Sequence, residues 1–215
     1  MVHIFHPLSL RHSVAYTLYK EKERAKFPEF KNLNQRGKMI AETQNLARTL
    51  KETPANLMTP QIFVETIKKY ANDWNLKNVE IIPRQRAWLE EQKMGSFLSV
   101  SNGSPEVPPI LLEIHVNKPA DENAVPEICM VGKGITFDAG GISIKGSKGM
   151  MDMRADMGGA ATTAAATLGA ARLVNTDKYF VCLTPLTENM PSGTATKPGD
   201  VEYRVQKNLY TCQKF

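Results

Sequence analysis

The chain is poor in cysteine, histidine and aromatic residues, with 3 cysteines, 4 histidines and 7% aromatics in 215 residues. Cys129, Cys182 and Cys212 are far apart and odd in number, which argues against a disulfide framework and suits reduced thiols in a cytoplasmic protein. The histidines and cysteines show no zinc-finger spacing. No apolar run reaches the roughly 18 residues that a membrane span requires, so no membrane partner is expected. The opening MVHIFHPLSLRHSVAYTLYK scatters His3, His6, Arg11 and His12 among its apolar residues and has no clear apolar core with a cleavage site, so no secretion signal is read there.

The 42% hydrophobic content is enough to bury the core of one domain, or one and a half. Net charge is +5, but Lys and Arg interleave with acids, as in YKEKERAKFPEFK, which describes a solvated surface. A nucleic-acid partner would rest on charge alone.

Residues 1 to about 34 show no sustained period and read as a leader or linker remnant. From Arg36 to Lys51, Met39, Ile40, Leu46, Ala47 and Leu50 recur at helical spacing until Pro54 stops them. Thr59 and Pro60 form a capping pair that opens a second helix ending near Asn72 or Asp73. VEIIP at 79–83 reads as a strand, RAWLEEQKMGSF as a helical patch and 101–109 as a loop. ILLEIHV at 110–116 and EICMVGKG at 127–134 read as strands, the second buried with Cys129 inert inside it. The small-residue stretch from Gly158 reads as a helix packed on a sheet, and YFVCLTPL at 179–186 as the strand that follows. That order makes a βαβ unit and predicts an α/β fold, a partial three-layer sheet with flanking helices.

Within VGKGITFDAGGISIKGSKGMMDMRADMGG, Lys133, Asp138, Lys145 and Asp156 stand where apolar packing would be expected. Lys133 and Asp138 fall just past the strand ending at Val131, and Asp156 precedes the helix, so the three can converge beyond the strand ends. Gly140 and Gly141 permit a tight loop that returns Lys145 to the same place. Paired carboxylates suit a divalent cation, a neutral amine can add to its ligands, and a charged Lys145 can polarise a substrate carbonyl. Exposed ion pairs account for the same spacing. A phosphate loop fits less well, because neither GxxxxGK[ST] nor GxGxxG is matched. Met150, Met151, Met153 and Met157 read as core fillers, His115 as a hydrogen-bonded strand residue and Asp200 as a turn residue.

VGKGITFDAGGISIK, MRADMGGAA and PLTENMPSGTATKPGDV, in that order, resemble the catalytic domain of the cytosolic leucine aminopeptidase family. QNLARTLKETPANLMTP and WLEEQKMGSFLSVSNGS extend the resemblance over about residues 36–201. It implies the first half of that domain, flanked by a leader or linker over 1–35 and a divergent tail over 202–215. It implies a hexameric peptidase that removes leucine-type N-terminal residues with two divalent metals, zinc or manganese, which bind the α-amine and activate water. Lys133, Asp138 and Asp156 match metal ligands, Asp138 bridging. Lys145 matches the catalytic lysine on the substrate carbonyl, and Met153 a residue lining the pocket for the first side chain.

The family's NTDAEGR motif, with its further carboxylate ligands, has no counterpart in the tail VEYRVQKNLYTCQKF. The sequence therefore implies a family member with impaired catalysis, or alternatively a pseudoenzyme or assembly protein that associates with full-length relatives in homo- or hetero-oligomers. An unpaired sheet edge with exposed apolar surface is expected in either case.

Overall fold

The structure, a computed structural model, describes residues 28–121, 123–174, 176–203 and 209–211. Most of the expected leader, and most of the expected tail, lie outside the described residues. The chain divides into two compact units, Met1–Ala41 and Glu42–Phe215. Of the first unit, residues 28–41 begin helix α1 (Pro28–Glu52). The helix thus starts upstream of the periodic stretch. Proline in a first helical turn gives up an N–H that has no intrahelical partner, so Pro28 is compatible with the start of this helix.

The second unit holds the sheet. After a 3₁₀ turn at Ala55–Leu57 comes helix α2 (Pro60–Asp73), where the Thr59 hydroxyl accepts from the Ile62 N–H at 3.4 Å as the cap expected there. Strand β1 (Val79–Arg84) leads to helices α3 (Arg86–Glu91) and α4 (Gly95–Ser101). The expected single helical patch is split between these two, with Lys93 at φ 55° in the turn. Strand β2 (Ile110–Val116) keeps its predicted bounds.

β3 (Ile128–Val131), β4 (Gly134–Asp138), helix α5 (Gly158–Leu173) and β5 (Phe180–Asn189) complete the site-bearing region. β5 is central. It pairs antiparallel with β2, which pairs antiparallel with β1, and on its other side lies parallel to both β3 and β4. β3 and β4 are two pieces of one line, broken at Gly132 and Lys133, and α5 supplies the crossover to β5. A separate pair, β6 (Val201–Tyr203) with β7 (Leu209–Thr211), is antiparallel.

Alternation sorts the core. Ile110, Leu112 and Ile114 of β2, with Cys182 and Leu186 of β5, pack against Leu46, Leu50, Phe63, Ile67 and the alanine face of α5, all buried. Each such Leu, Ile or Phe contributes about 1.5–3 kcal/mol relative to exposure. The alanines bring α5 close to the sheet. The alternate residues of β2 make a polar network instead: Arg84 Nε donates to Glu113 Oε1 at 3.1 Å, and the His115 ring lies 3.1 Å from Glu113 Oε2 and 2.8 Å from the Tyr179 hydroxyl. His115 is hydrogen-bonded in its strand, as expected.

Two expectations fail here. β3 was expected to be buried, yet Ile128, Cys129 and Val131 are exposed, because β3 has β5 on one side and no strand on the other among the described residues. GITFD was expected to be loop but forms β4, whose buried face carries Gly134, Thr136 and Asp138. The alternation is inverted here: the apolar Ile135 and Phe137 lie on the less buried face, so a pattern that reads apolar as inward misplaces this strand.

The break between β3 and β4 presses on α5. A Cβ at Gly132 would lie 2.3 Å from Thr163 Oγ1 and 2.5 Å from the Gly159 carbonyl oxygen. Gly132→Ala is therefore expected to lower stability by about 1–3 kcal/mol, read as a lower denaturant midpoint with an unchanged m-value; an unaltered midpoint would show that the two segments do not need this approach.

Candidate metal centre

The four charged residues arrive from three directions. Lys133 occupies the strand break, where its carbonyl accepts from the Ala160 N–H at 2.8 Å and so satisfies a donor in the first turn of α5. Asp138 ends β4. Lys145 returns on the loop that follows, which turns through Gly140 (φ 92°) and Gly141 (φ 65°) and closes with Lys145 N–H donating to the Ala139 carbonyl at 2.9 Å. Asp156 follows a 3₁₀ turn at Met150–Ala155 and lies two residues before α5. That turn is tied to the end of α1 by Arg154, whose Nη2 donates to Glu52 Oε2 at 3.2 Å.

The expected convergence occurs. Lys145 Nζ donates to Asp138 Oδ2 at 2.6 Å, and Lys133 Nζ lies 2.9 Å from Asp156 Oδ2. The two carboxylates are close enough for each to shift the other. Met153 joins them, its Sδ 3.3 Å from Lys145 Nζ, whereas Met157 is core and Met151 is exposed, not the core filler expected.

The two aspartates differ in environment. Burial opposes the charge of Asp138, but hydrogen bonds from Lys145, Asn189 and the Gly140 N–H, with Asp156 adjacent, hold its carboxyl below the usual range. Burial pushes Asp156 above that range; Lys133 pulls it down, and the neighbouring Asp138 adds to the rise. Asp156 Oδ2 is also buried, with Lys133 Nζ 2.9 Å away. A buried, acceptor-only oxygen beside a second carboxylate fits a divalent cation. Among the described residues no group of three or more His, Cys, Asp and Glu gathers at one point.

Asn189, which the sequence reading did not single out, is part of this site. It ends β5 in register with Asp138, and its Nδ2 donates to Asp138 Oδ1 at 2.8 Å. Its one sequence signal was a polar residue at the end of an apolar strand. Asn189 and Gly140 also border a cavity of about 60 Å³, shared with Gly141, Ile142, Met190 and Thr196. Lys133, Asp138, Lys145 and Asp156 do not line it.

The description "Cytosol aminopeptidase family, catalytic domain" matches residues 45–209. The chain belongs to the cytosol aminopeptidase family. It is 55% identical to the cytosol aminopeptidase of Homo sapiens over 167 residues, covering 78% of this chain and 31% of that protein. The Bos taurus cytosol aminopeptidase is 53% identical over the same shares. The chain thus spans about a third of the length of the curated relatives it matches. Among solved structures, the bottromycin maturation enzyme BotP in complex with Mn superposes with a TM-score of 0.72 at 33% identity, over 85% of this chain and 38% of that one. Caenorhabditis elegans leucine aminopeptidase superposes at 0.71 and 26% identity, over 80% and 34%. Mixed sheet, flanking helices and family agree with the sequence expectation.

The opposite shifts of the two aspartates give opposite stability effects. The folded pKa of Asp138 lies below the unfolded one, so its contribution is present above the ordinary carboxylate range and is lost as pH falls through the folded value. That of Asp156 lies above it, so stability is lost as pH rises from the ordinary value through the folded one. In metal-free melts at pH 7, Asp138→Asn is expected to cost about 1–3 kcal/mol by leaving Lys145 without its anion, and Asp156→Asn to be neutral or stabilising. The reverse order would contradict the assigned environments.

Proposed function

We propose that this chain carries part of a metal-dependent aminopeptidase site, with Lys133, Asp138 and Asp156 as metal ligands, Lys145 directed at the substrate carbonyl and Met153 beside the first side chain. The observation that carries this reading is the meeting of two carboxylates and two lysines, with Asp156 Oδ2 buried. A cation held there, zinc or manganese, would polarise a peptide carbonyl and lower the pKa of water. Lys145, 38% exposed, keeps a positive charge within reach of solvent and substrate while Asp138 orients it. Met153 offers an apolar, adaptable surface next to that charge, which suits a leucine-type side chain at a peptide N-terminus.

The same donors argue for one weakly held cation in preference to a pair. Two dications about 3.5–4 Å apart repel strongly and need bridging negative charge beyond two aspartates. Hydrolysis of leucyl substrates by the purified chain is accordingly expected to be undetectable or very slow. Turnover comparable with that of an intact relative, in a preparation cleared of contaminating aminopeptidase, would overturn this. The names of the relatives support a cytoplasmic place and peptide substrates, and no helix among the described residues is long and apolar enough to cross a membrane.

The exposed β3 edge favours a second reading, association with a full-length relative. Alkylation decides it: Cys129 is exposed, whereas Cys182 is buried and burial pushes its thiol up, so Cys129 is expected to react in the folded chain and Cys182 only after unfolding. Protection of Cys129 on mixing with a full-length relative supports assembly through this edge; unchanged labelling of Cys129 opposes it.

A further inference from the structure

Both carboxylate oxygens of Asp138 accept hydrogen bonds. Oδ1 accepts from Asn189 Nδ2 at 2.8 Å and from the Gly140 N–H at 3.0 Å, while Oδ2 accepts from Lys145. Asn189 is itself held. Its carbonyl accepts from the Ala139 N–H at 2.9 Å, and its amide oxygen packs so closely that a Cβ on Gly141 would lie 2.8 Å from it. The direction of the amide follows from chemistry, because a flipped group would set its oxygen against a carboxylate oxygen.

An amide does here what a cation would not. It fixes the plane of the carboxylate through Oδ1 and leaves the negative charge intact, whereas a second lysine in this place would cancel charge that a metal needs. We propose that Asn189 is a positioning residue, a neutral partner that holds Asp138 so that Oδ2 faces the centre of the site. The inference rests on the reading of Asp138 as a metal ligand. The Gly140–Gly141 turn belongs to the same device, since the loop approaches the amide only where no side chain intervenes.

The test is a titration of the 215-residue chain with Mn²⁺, following the free ion by electron paramagnetic resonance, for the parent, Asn189→Ala and Asn189→Asp, together with metal-free thermal melts. Both variants are expected to lose about 10- to 100-fold in Mn²⁺ affinity, the usual cost of removing a partner behind a metal ligand, while Asn189→Ala melts near the parent temperature. Asn189→Asp separates orientation from charge. It has the shape of asparagine but cannot donate when ionised, so a positioning role predicts weaker binding and a purely electrostatic one predicts tighter binding. Should Asn189→Ala fail to fold, the isosteric variant decides alone. Unchanged or tighter Mn²⁺ binding by Asn189→Asp overturns the positioning role and leaves the metal reading standing. Failure of the parent chain to bind Mn²⁺ overturns the metal reading, and the inference with it.

Discussion

The close approach of Gly132 and the first turn of α5 governs the geometry of this molecule. The edge strand would otherwise run unbroken beside β5, and its break lets the backbone meet the helix, with the Lys133 carbonyl capping the Ala160 N–H. A side chain on either Gly132 or Gly159 would meet backbone at under 3 Å. Because the break is held, Lys133 is delivered beside the residue that precedes α5, and Asp156 meets it there. The parallel register then carries β4 on to Asp138, opposite Asn189.

Electrostatics follow from that placement. Two aspartates brought together out of water cannot both ionise at their ordinary cost, and the protein resolves this unequally. Asp138 receives three donors and its carboxyl lies below the usual range; Asp156 is raised by burial and by Asp138, with Lys133 pulling against that rise. The lysines meanwhile balance the charge of the site. Such a centre suits a cation that can take over the role of the ammonium groups, which is the physical content of the proposed metal-dependent function.

The sheet has two unlike faces, and among the described residues its edges are β1 on one side and the β3–β4 line on the other. The helix-covered face is apolar and supplies most of the burial, while the Arg84, Glu113, His115 and Tyr179 network pairs its polar groups internally on the other face. Burial pushes the Tyr179 hydroxyl above its usual range, in keeping with a structural hydrogen-bonding role. β3 itself carries none of the charges or prolines that usually blunt an edge strand, so the exposed Ile128 and Val131 stand on an unprotected edge.

Local chemistry by itself determined much of this protein. Thr59 and Pro60 capped α2, the apolar alternation of ILLEIHV set β2, the alanine-rich stretch formed α5, and Gly140 and Gly141 made the turn that returns Lys145. These features depend on neighbours a few residues away, so they can be read in one dimension. The family was legible too, as ordered motifs, and so was the convergence of Lys133, Asp138, Lys145 and Asp156. Only the tertiary structure decided that GITFD is a strand, since Thr136 and Asp138 face inward for reasons supplied by β5, and that Cys129 is exposed, since burial depends on which strands stand alongside. It alone brought Asn189 to Asp138, 51 residues apart in the chain, because a parallel register is set by the packing of whole strands and leaves no local trace.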